Sequence, residues 1–371
     1  MAYDLTKIPV RALLQPIAEA TAALVRLDER LKNSPLGPGC LERLHFVDAC
    51  ASLWIDGELV HMEDLVLHDA SRDIRSPTHE LTIAHAVLRA RKKILRHPPT
   101  WALSPEGFLA LRGAEDFQEK EEEGRGGTEV STHSDPQVET ASDQVDPLAQ
   151  DLAALDAVLE RSTAILSGAP VPQRESPWQR AEIVYDPDWN EEDRLAEWRE
   201  VLRRTENMPP VLRAVLLLDA WNFLDVLERT PWLGRLLAAS SLLEAGLTSA
   251  GHLATVNLGL KLIERDKRTS RNLETRLTAL LSALTAAAEF GLKEHDKLVL
   301  ARQTLEYRLK GRRRSSKLPA LVDLVLSRPM VSASMIAKEI GVTPQAALRL
   351  VEELNLRELT GRGRFRVWGI V

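Results

Sequence analysis

Apolar residues recur at steps of three and four along most of the chain, which is the spacing of one buried helix face. The first such stripe consists of Leu14, Ile17, Ala20, Leu24, Leu27 and Leu31. The same spacing predicts helices over residues 14–32, 40–53, 61–67, 76–96, 152–166, 191–204, 210–227, 233–245, 250–265, 271–290 and 294–309. Pro16 is expected in the first turn of its helix, where proline is tolerated. Gly291 is expected to separate the last two helices.

The pattern changes at the C-terminus, where short elements follow one another. Helices are predicted over residues 318–328 and 335–340, and a third from the Thr343-Pro344 cap to about residue 356. Gly341 lies between the second and the third helix. A short helix, a glycine turn and a longer helix are typical of a helix-turn-helix.

A β-hairpin is predicted directly after the third helix. Residues 360–363, Thr-Gly-Arg-Gly, have turn composition, and residues 364–370 have the composition of a strand. A hairpin in this place is the wing of a winged helix. The predicted fold class is therefore mainly α, with a helical N-terminal region, a helical core and a C-terminal winged helix-turn-helix that carries a small β-hairpin.

Composition divides the chain into four parts. Residues 115–151 contain the run EKEEEGRGG and almost no large apolar side chains, so they cannot bury enough surface to offset their ordering entropy. We therefore predict a helical N-terminal domain at residues 1–113 and a disordered acidic linker at 114–151. A helical core at 152–310 and the winged domain at 316–371 follow.

Charge is distributed unevenly between these parts. Residues 308–371 contain 13 Lys and Arg against 5 Asp and Glu, a net charge of +8 in a chain whose net charge is -6. A basic domain carried on an acidic body is typical of a DNA-binding module. The predicted partner is double-stranded DNA, and the predicted role is transcriptional regulation; a homodimer is left open.

The candidate DNA-binding residues lie on the third helix and on the wing. Gln345 and Arg349 are expected to face outward, where Gln can pair with adenine and Arg with guanine through two hydrogen bonds. Thr343, which caps this helix, belongs to the same surface. Wing arginines suit phosphates or a minor groove, and they are Arg362, Arg364 and Arg366. Winged helices also bind proteins, so a protein partner is the alternative.

Other chemistry finds little support in the sequence. Cys40 and Cys50 form no Cys-x-x-Cys pair, and no Walker A, Gly-x-Gly-x-x-Gly or Gly-x-Ser-x-Gly motif occurs. We expect no catalytic residues, no cofactor, no metal and no membrane contact, and a cytoplasmic protein associated with the nucleoid. Histidines and carboxylates at residues 61–69 are interpreted as a polar helix edge, with a metal site as the alternative. A second basic patch at residues 89–96 is interpreted as a solvated face, with auxiliary DNA contact as the alternative.

Two segments, together with the winged helix and its Thr-Gly-Arg-x-Arg wing, resemble the Fic family, whose members transfer AMP or related groups onto protein hydroxyls. Residues 52–57, SLWIDG, resemble the inhibitory helix motif Ser/Thr-x-x-x-Glu-Gly/Asn, with Asp56 in place of glutamate. Residues 230–237, TPWLGRLL, resemble a shortened form of the catalytic motif His-Pro-Phe-x-Asp/Glu-Gly-Asn-Gly-Arg-x-Gly-Arg. The resemblance implies a helical core and a contact between Asp56 and Arg235, because the inhibitory acid pairs with the last arginine of the motif.

The departures from the motif imply that catalysis is lost. Thr230 stands where the family has its histidine base, the acidic metal ligand has no counterpart, and the loop that holds phosphates is deleted. Transfer chemistry needs a base, a metal ligand and an anion site. We therefore predict a non-enzymatic, Fic-like scaffold. The alternative is an atypical transferase or an interaction scaffold whose winged helix binds a partner.

Overall fold

The computed structural model describes residues 3–70, 77–113, 190–228, 230–249, 251–310, 317–360 and 366–370. The described α-helices are α1 (Val10–Lys32), α2 (Gly37–Asp56), α3 (Met62–Asp69), α4 (His79–Ile94), α5 (Pro105–Arg112), α6 (Glu191–Arg204), α7 (Pro210–Leu224), α8 (Pro231–Glu244), α9 (Val256–Leu262), α10 (Arg265–Arg268), α11 (Leu273–Leu309), α12 (Leu318–Ser327), α13 (Ala333–Ile340) and α14 (Pro344–Glu353). The described strands are β1 (Met330–Ser332), β2 (Arg357–Glu358) and β3 (Val367–Gly369). The predicted mainly α fold class is confirmed.

Two helices extend beyond the limits that proline and glycine suggested. Helix α1 begins at Val10, so Pro16 lies inside the helix and not in its first turn. Helix α11 runs through Gly291 as one helix of 37 residues, or about 55 Å. A Cβ atom on Gly291 would lie 2.7 Å from Leu27 Cδ2 of α1. The expectation of a break at Gly291 was wrong, because the glycine serves the close packing of α1 on α11.

The helix predicted over residues 250–265 is replaced by an irregular stretch followed by the short helices α9 and α10. His252 is buried, and its Nδ1 lies 2.8 Å from Asp28 Oδ1 of α1. The backbone N–H of Ser249 donates to the same oxygen at 2.8 Å. These bonds fix Ser249 and His252 against α1, where the sequence predicted a continuous helix.

The N-terminal helices and the later helices share one hydrophobic core. Helix α1 packs along α11, α2 packs on α4 and α9, and α7 packs on α8. The composition-based boundary between residues 1–113 and the helical core therefore does not separate two cores. Residues 114–151, predicted as an acidic linker, and the helix predicted over residues 152–166 lie outside the described residues. None of the described helices combines the length and apolar character needed to cross a membrane.

A buried ion pair joins three parts of this core. Asp48 of α2 and Arg91 of α4 are both fully buried, and their closest charged atoms are 2.5 Å apart. Asp48 also accepts hydrogen bonds from Asn257 Nδ2 at 2.7 Å and from the Leu258 N–H at 2.9 Å. Arg91 donates a further bond to the Leu253 carbonyl at 2.7 Å. The pair therefore ties α2, α4 and the chain around the start of α9 together.

The second basic patch of the sequence is solvated only in part, at Arg89 and Arg96. Arg91 is buried in the pair just described, and Lys92 forms ion pairs with Glu42 at 3.0 Å and Asp69 at 3.3 Å. Lys93 donates to the Ala110 carbonyl at 2.9 Å. The interpretation of residues 89–96 as one basic surface was therefore wrong, because three of its cations have partners within the protein.

We expect Arg91→Ala to lower the free energy of unfolding by about 3–5 kcal/mol, because it leaves the buried Asp48 carboxylate without its cation. Arg89→Ala removes an exposed arginine from the same helix and should change stability by about 0.5 kcal/mol or less. Urea unfolding followed by circular dichroism measures both. Equal effects of the two variants would show that the Asp48–Arg91 pair does not hold the core together.

Candidate nucleic-acid interface

The C-terminal residues fold as three helices and a three-stranded antiparallel sheet. Strand β3 lies in the middle, with β1 on one side and β2 on the other. Gly369 of β3 is paired with Met330 of β1 and with Arg357 of β2. The hairpin of β2 and β3 was predicted, whereas β1 was not. The arrangement α12, β1, α13, α14 and the β2–β3 hairpin is that of a winged helix-turn-helix.

Local capping bonds fix the helix-turn-helix. Ser332 Oγ accepts a hydrogen bond from the Met335 N–H at 3.2 Å, which starts α13 two residues earlier than predicted. Gly341 has a φ of 69°, a conformation that favours glycine and allows the turn between α13 and α14. Thr343 Oγ1 accepts from the Ala346 N–H at 3.2 Å and caps α14. The turn therefore has the residues that its geometry requires.

The outer face of α14 presents the side chains that were predicted to read bases. Gln345 and Arg349 are exposed, as is Thr343 at the start of the helix. Arg349 has no ion pair or hydrogen bond with any residue that the structure describes. Glu352 and Glu353 are exposed at the other end of α14. The exposed face from Thr343 to Arg349 is thus the part that an anionic partner can approach.

The wing contains a pairing that the sequence did not reveal. Arg366 is exposed, but its guanidinium donates two hydrogen bonds to Glu358 Oε2, at 2.9 and 2.6 Å, and lies 5.3 Å from the ring centre of Trp368. The bond to Glu358 raises the pKa of Arg366. A phosphate that binds Arg366 must therefore compete with Glu358. A hairpin brings residues on either side of its turn together, so the predicted hairpin was the signal in the sequence from which this pairing could have been inferred. Arg362 and Arg364 lie outside the described residues.

The structure brings Asp56 and Arg235 together. Arg235 Nη1 and Nη2 donate to the two carboxylate oxygens of Asp56, at 2.9 and 2.6 Å. Arg235 Nη2 also donates to Ser52 Oγ at 3.0 Å. The Arg235 side chain is 6% exposed and that of Asp56 is 26% exposed. The pair is bidentate and joins the end of α2 to α8.

The other residues of the shortened motif have packing roles. A Cβ atom on Gly234 would lie 2.2 Å from Trp221 Cγ, so the indole ring of α7 lies directly on this glycine. Trp221 in turn meets Trp198 edge to face, with ring centres 5.3 Å apart. Thr230 is buried immediately before α8. The glycine and arginine of the motif therefore join α8 to α7 and α2.

The polar residues at positions 61–69 do not converge on a metal site. His85 Nε2 lies 3.2 Å from Asp69 Oδ1, and the rings of His68 and His85 are 4.7 Å apart. Within the described part of the chain, no three His, Cys, Asp or Glu side chains are grouped so that they could hold a metal ion.

Two regions of the chain match families of known proteins. Residues 183–310 match a family described as "Protein of unknown function (DUF1612)", and residues 318–371 match one described as "HTH DNA binding domain". The full chain is 54% identical over 380 residues to "Uncharacterized protein y4cF" of Sinorhizobium fredii (strain NBRC 101917 / NGR234), covering 100% of both chains. This chain belongs to the family of y4cF.

The family assignment bears on two of the sequence predictions. The predicted C-terminal helix-turn-helix is confirmed, since the matched HTH domain begins at the start of α12. The DUF1612 match ends at residue 310, directly after the long helix α11. Neither matched family is the Fic family, so the Fic-like scaffold stays a prediction.

Proposed function

We propose that this DUF1612 protein is a transcriptional regulator that binds double-stranded DNA through its C-terminal winged helix-turn-helix. The observation that carries the proposal is the exposed pair Gln345 and Arg349 on α14, within a matched HTH DNA-binding domain. Arginine and glutamine are the side chains that read guanine and adenine in the major groove. Their position on the second helix of the motif is that of base-contacting residues.

In this proposal α14 is the recognition helix and lies in the major groove. Arg349 and Gln345 contact base edges, while Thr343 at the start of the helix and the arginines of the wing contact phosphates. Residues 114–190 carry 18 Asp and Glu against 5 Lys and Arg, and this acidic segment repels DNA, which favours binding through the winged domain. A homodimer would place two recognition helices about 34–36 Å apart on an inverted repeat.

We further propose that the helical body is a Fic-derived scaffold without transferase activity. The supporting observations are the contact of Asp56 with Arg235, the ring of Trp221 packed on Gly234 and the burial of Thr230. Gly234 and Arg235 have a packing and a pairing partner, respectively, and threonine is a poor general base.

Arg349→Ala should weaken binding to the preferred DNA site by about 1–3 kcal/mol and relax selection at one base pair, because it removes one bidentate base contact. The full chain is used to enrich duplexes from a randomised library, and affinities are measured over a salt series. If about four to six phosphates are contacted, log K should fall against log salt with a slope of about -4 to -5.

The exposed Arg89 of α4 provides the matched control, since Arg89→Ala removes the same charge outside the winged domain. This control should bind DNA like the unmodified chain. Inverted repeats among the enriched sequences would support a homodimer. If the unmodified full chain binds no duplex at low salt, the winged domain serves protein interaction and the regulator proposal falls.

Glu358→Gln should strengthen binding to every duplex, because it removes the carboxylate that competes with phosphate for Arg366. The salt slope should steepen by about 0.9, which corresponds to one added phosphate contact. The double variant Glu358→Gln, Arg366→Ala separates this effect from the loss of a negative charge. If the gain in affinity persists in the double variant, the release of Arg366 is not its cause.

Incubation of the purified protein with Mg²⁺ and ATP should leave it without covalent AMP, as measured by intact mass. The expectation follows from the absence of a histidine at position 230. Self-modification that survives Thr230→Ala would show that another residue performs transfer chemistry and would contradict the inactive-scaffold proposal.

A further inference from the structure

An arginine of the body binds the end of α12, the first helix of the winged domain. Arg43 of α2 is buried, and it donates to the carbonyls of Val325 and Leu326, both at 2.7 Å, at the C-terminal end of α12. These carbonyls have no partner within their own helix. A Cβ atom on Gly39 would lie 2.2 Å from the Leu326 oxygen, so the backbones of α2 and α12 approach closely. Burial lowers the pKa of Arg43 to about 10, which leaves it cationic at neutral pH.

A second arginine of the body meets the end of the recognition helix. Arg308, in the last turn of α11, donates from Nη1 to the carbonyls of Leu354 at 2.6 Å and Asn355 at 3.1 Å. Asn355 has a φ of 50°, and the Leu356 N–H returns to the Val351 carbonyl at 3.1 Å. This closing turn satisfies two of the last carbonyls of α14. Arg308 binds the carbonyls of Leu354 and Asn355, the two residues directly after α14.

The two ends of α14 therefore have different partners. Gln345 lies in its first turn and Arg349 near its middle, while its C-terminal end is bonded to the body through Arg308. A cation is favourable at a helix C-terminus, where the helix dipole is negative. Since α14 has ten residues and a length of about 15 Å, a tilt at its bonded end displaces Gln345 most and Arg349 less.

We infer that Arg308 is a positioning residue that fixes the angle of the recognition helix against the body, an inference that rests on the proposed DNA-binding function. Arg308 acts through α14 and not by contact with DNA. Loss of Arg308 should reduce the preference for the selected site while leaving the attraction to phosphates intact. An arginine that instead contacted the DNA backbone would change the salt dependence of binding, so the two roles can be distinguished.

The test compares Arg308→Ala and Arg308→Lys in the full chain with Arg302→Ala as the matched control. Arg302 lies on the same helix and pairs with Glu306 at 2.7 Å. Affinities are measured over a salt series on the duplex enriched by the unmodified chain and on a random duplex. Arg308→Ala should lower affinity for the enriched duplex about 5- to 150-fold, which corresponds to one bidentate base contact. Affinity for the random duplex and both salt slopes should stay unchanged.

Hydrogen exchange without DNA provides a second, independent readout. Arg308→Ala should speed exchange in the peptide that covers residues 344–356, whereas Arg302→Ala should not. Arg308→Lys keeps the charge but loses the planar fork, and it should show an intermediate effect in both assays. It also keeps the inference testable if the alanine variant does not fold.

Two results would overturn the inference. An equal loss on both duplexes with a slope shallower by about 0.9 would make Arg308 a phosphate contact. Unchanged exchange and unchanged preference in Arg308→Ala would show that the bond does not position α14. Failure of the proposed function is distinguishable from both, because the unmodified chain would then bind neither duplex, and the inference would fall with it.

Discussion

The ion pair between Asp48 and Arg91 is the interaction on which the rest of this fold depends. Moving both charges out of water costs several kcal/mol for each ion, and the attraction between them offsets this cost only when the remaining donors and acceptors are satisfied. Here both carboxylate oxygens of Asp48 accept bonds, and Arg91 also reaches the Leu253 carbonyl. Since these partners come from both sides of residues 114–189, the early and late parts of the chain form one body.

Helix α2 contacts several other helices through its polar side chains. Asp48, Ser52 and Asp56 follow one another at steps of four, which places them on one side of a helix. Asp48 fixes α4 and the start of α9, and the other two hold Arg235 of α8. Arg43 of the same helix reaches the winged domain. A single helix thus connects the ion pair of the core with the first helix of the winged domain.

The sequence predicted what depends on local periodicity and missed what depends on distant partners. The helix predicted over residues 191–204 was found as Glu191–Arg204, and the helix-turn-helix was predicted from its caps and from Gly341. Gly291 was taken for a break because a glycine gives no local sign that another helix packs against it. Residues 89–96 were interpreted as one basic surface because burial and pairing depend on residues far away in the chain. Of the candidate interface, Gln345 and Arg349 were predicted, whereas Glu358 and Arg308 became visible only through contacts.

The bonds between Arg308 and the end of α14 fix a basic domain on a body that carries almost no net charge. Residues 1–113 and 191–307 together contain 30 Lys and Arg against 31 Asp and Glu, whereas residues 114–190 contain 5 against 18. Glu352 and Glu353 place negative charge at the end of α14 that is bonded to the body. The C-terminal end of α14 is therefore bonded to the body, and its N-terminal end is open to an anionic partner. If the proposed function holds, the bonds from Arg308 of α11 make DNA recognition depend on a residue outside the helix-turn-helix.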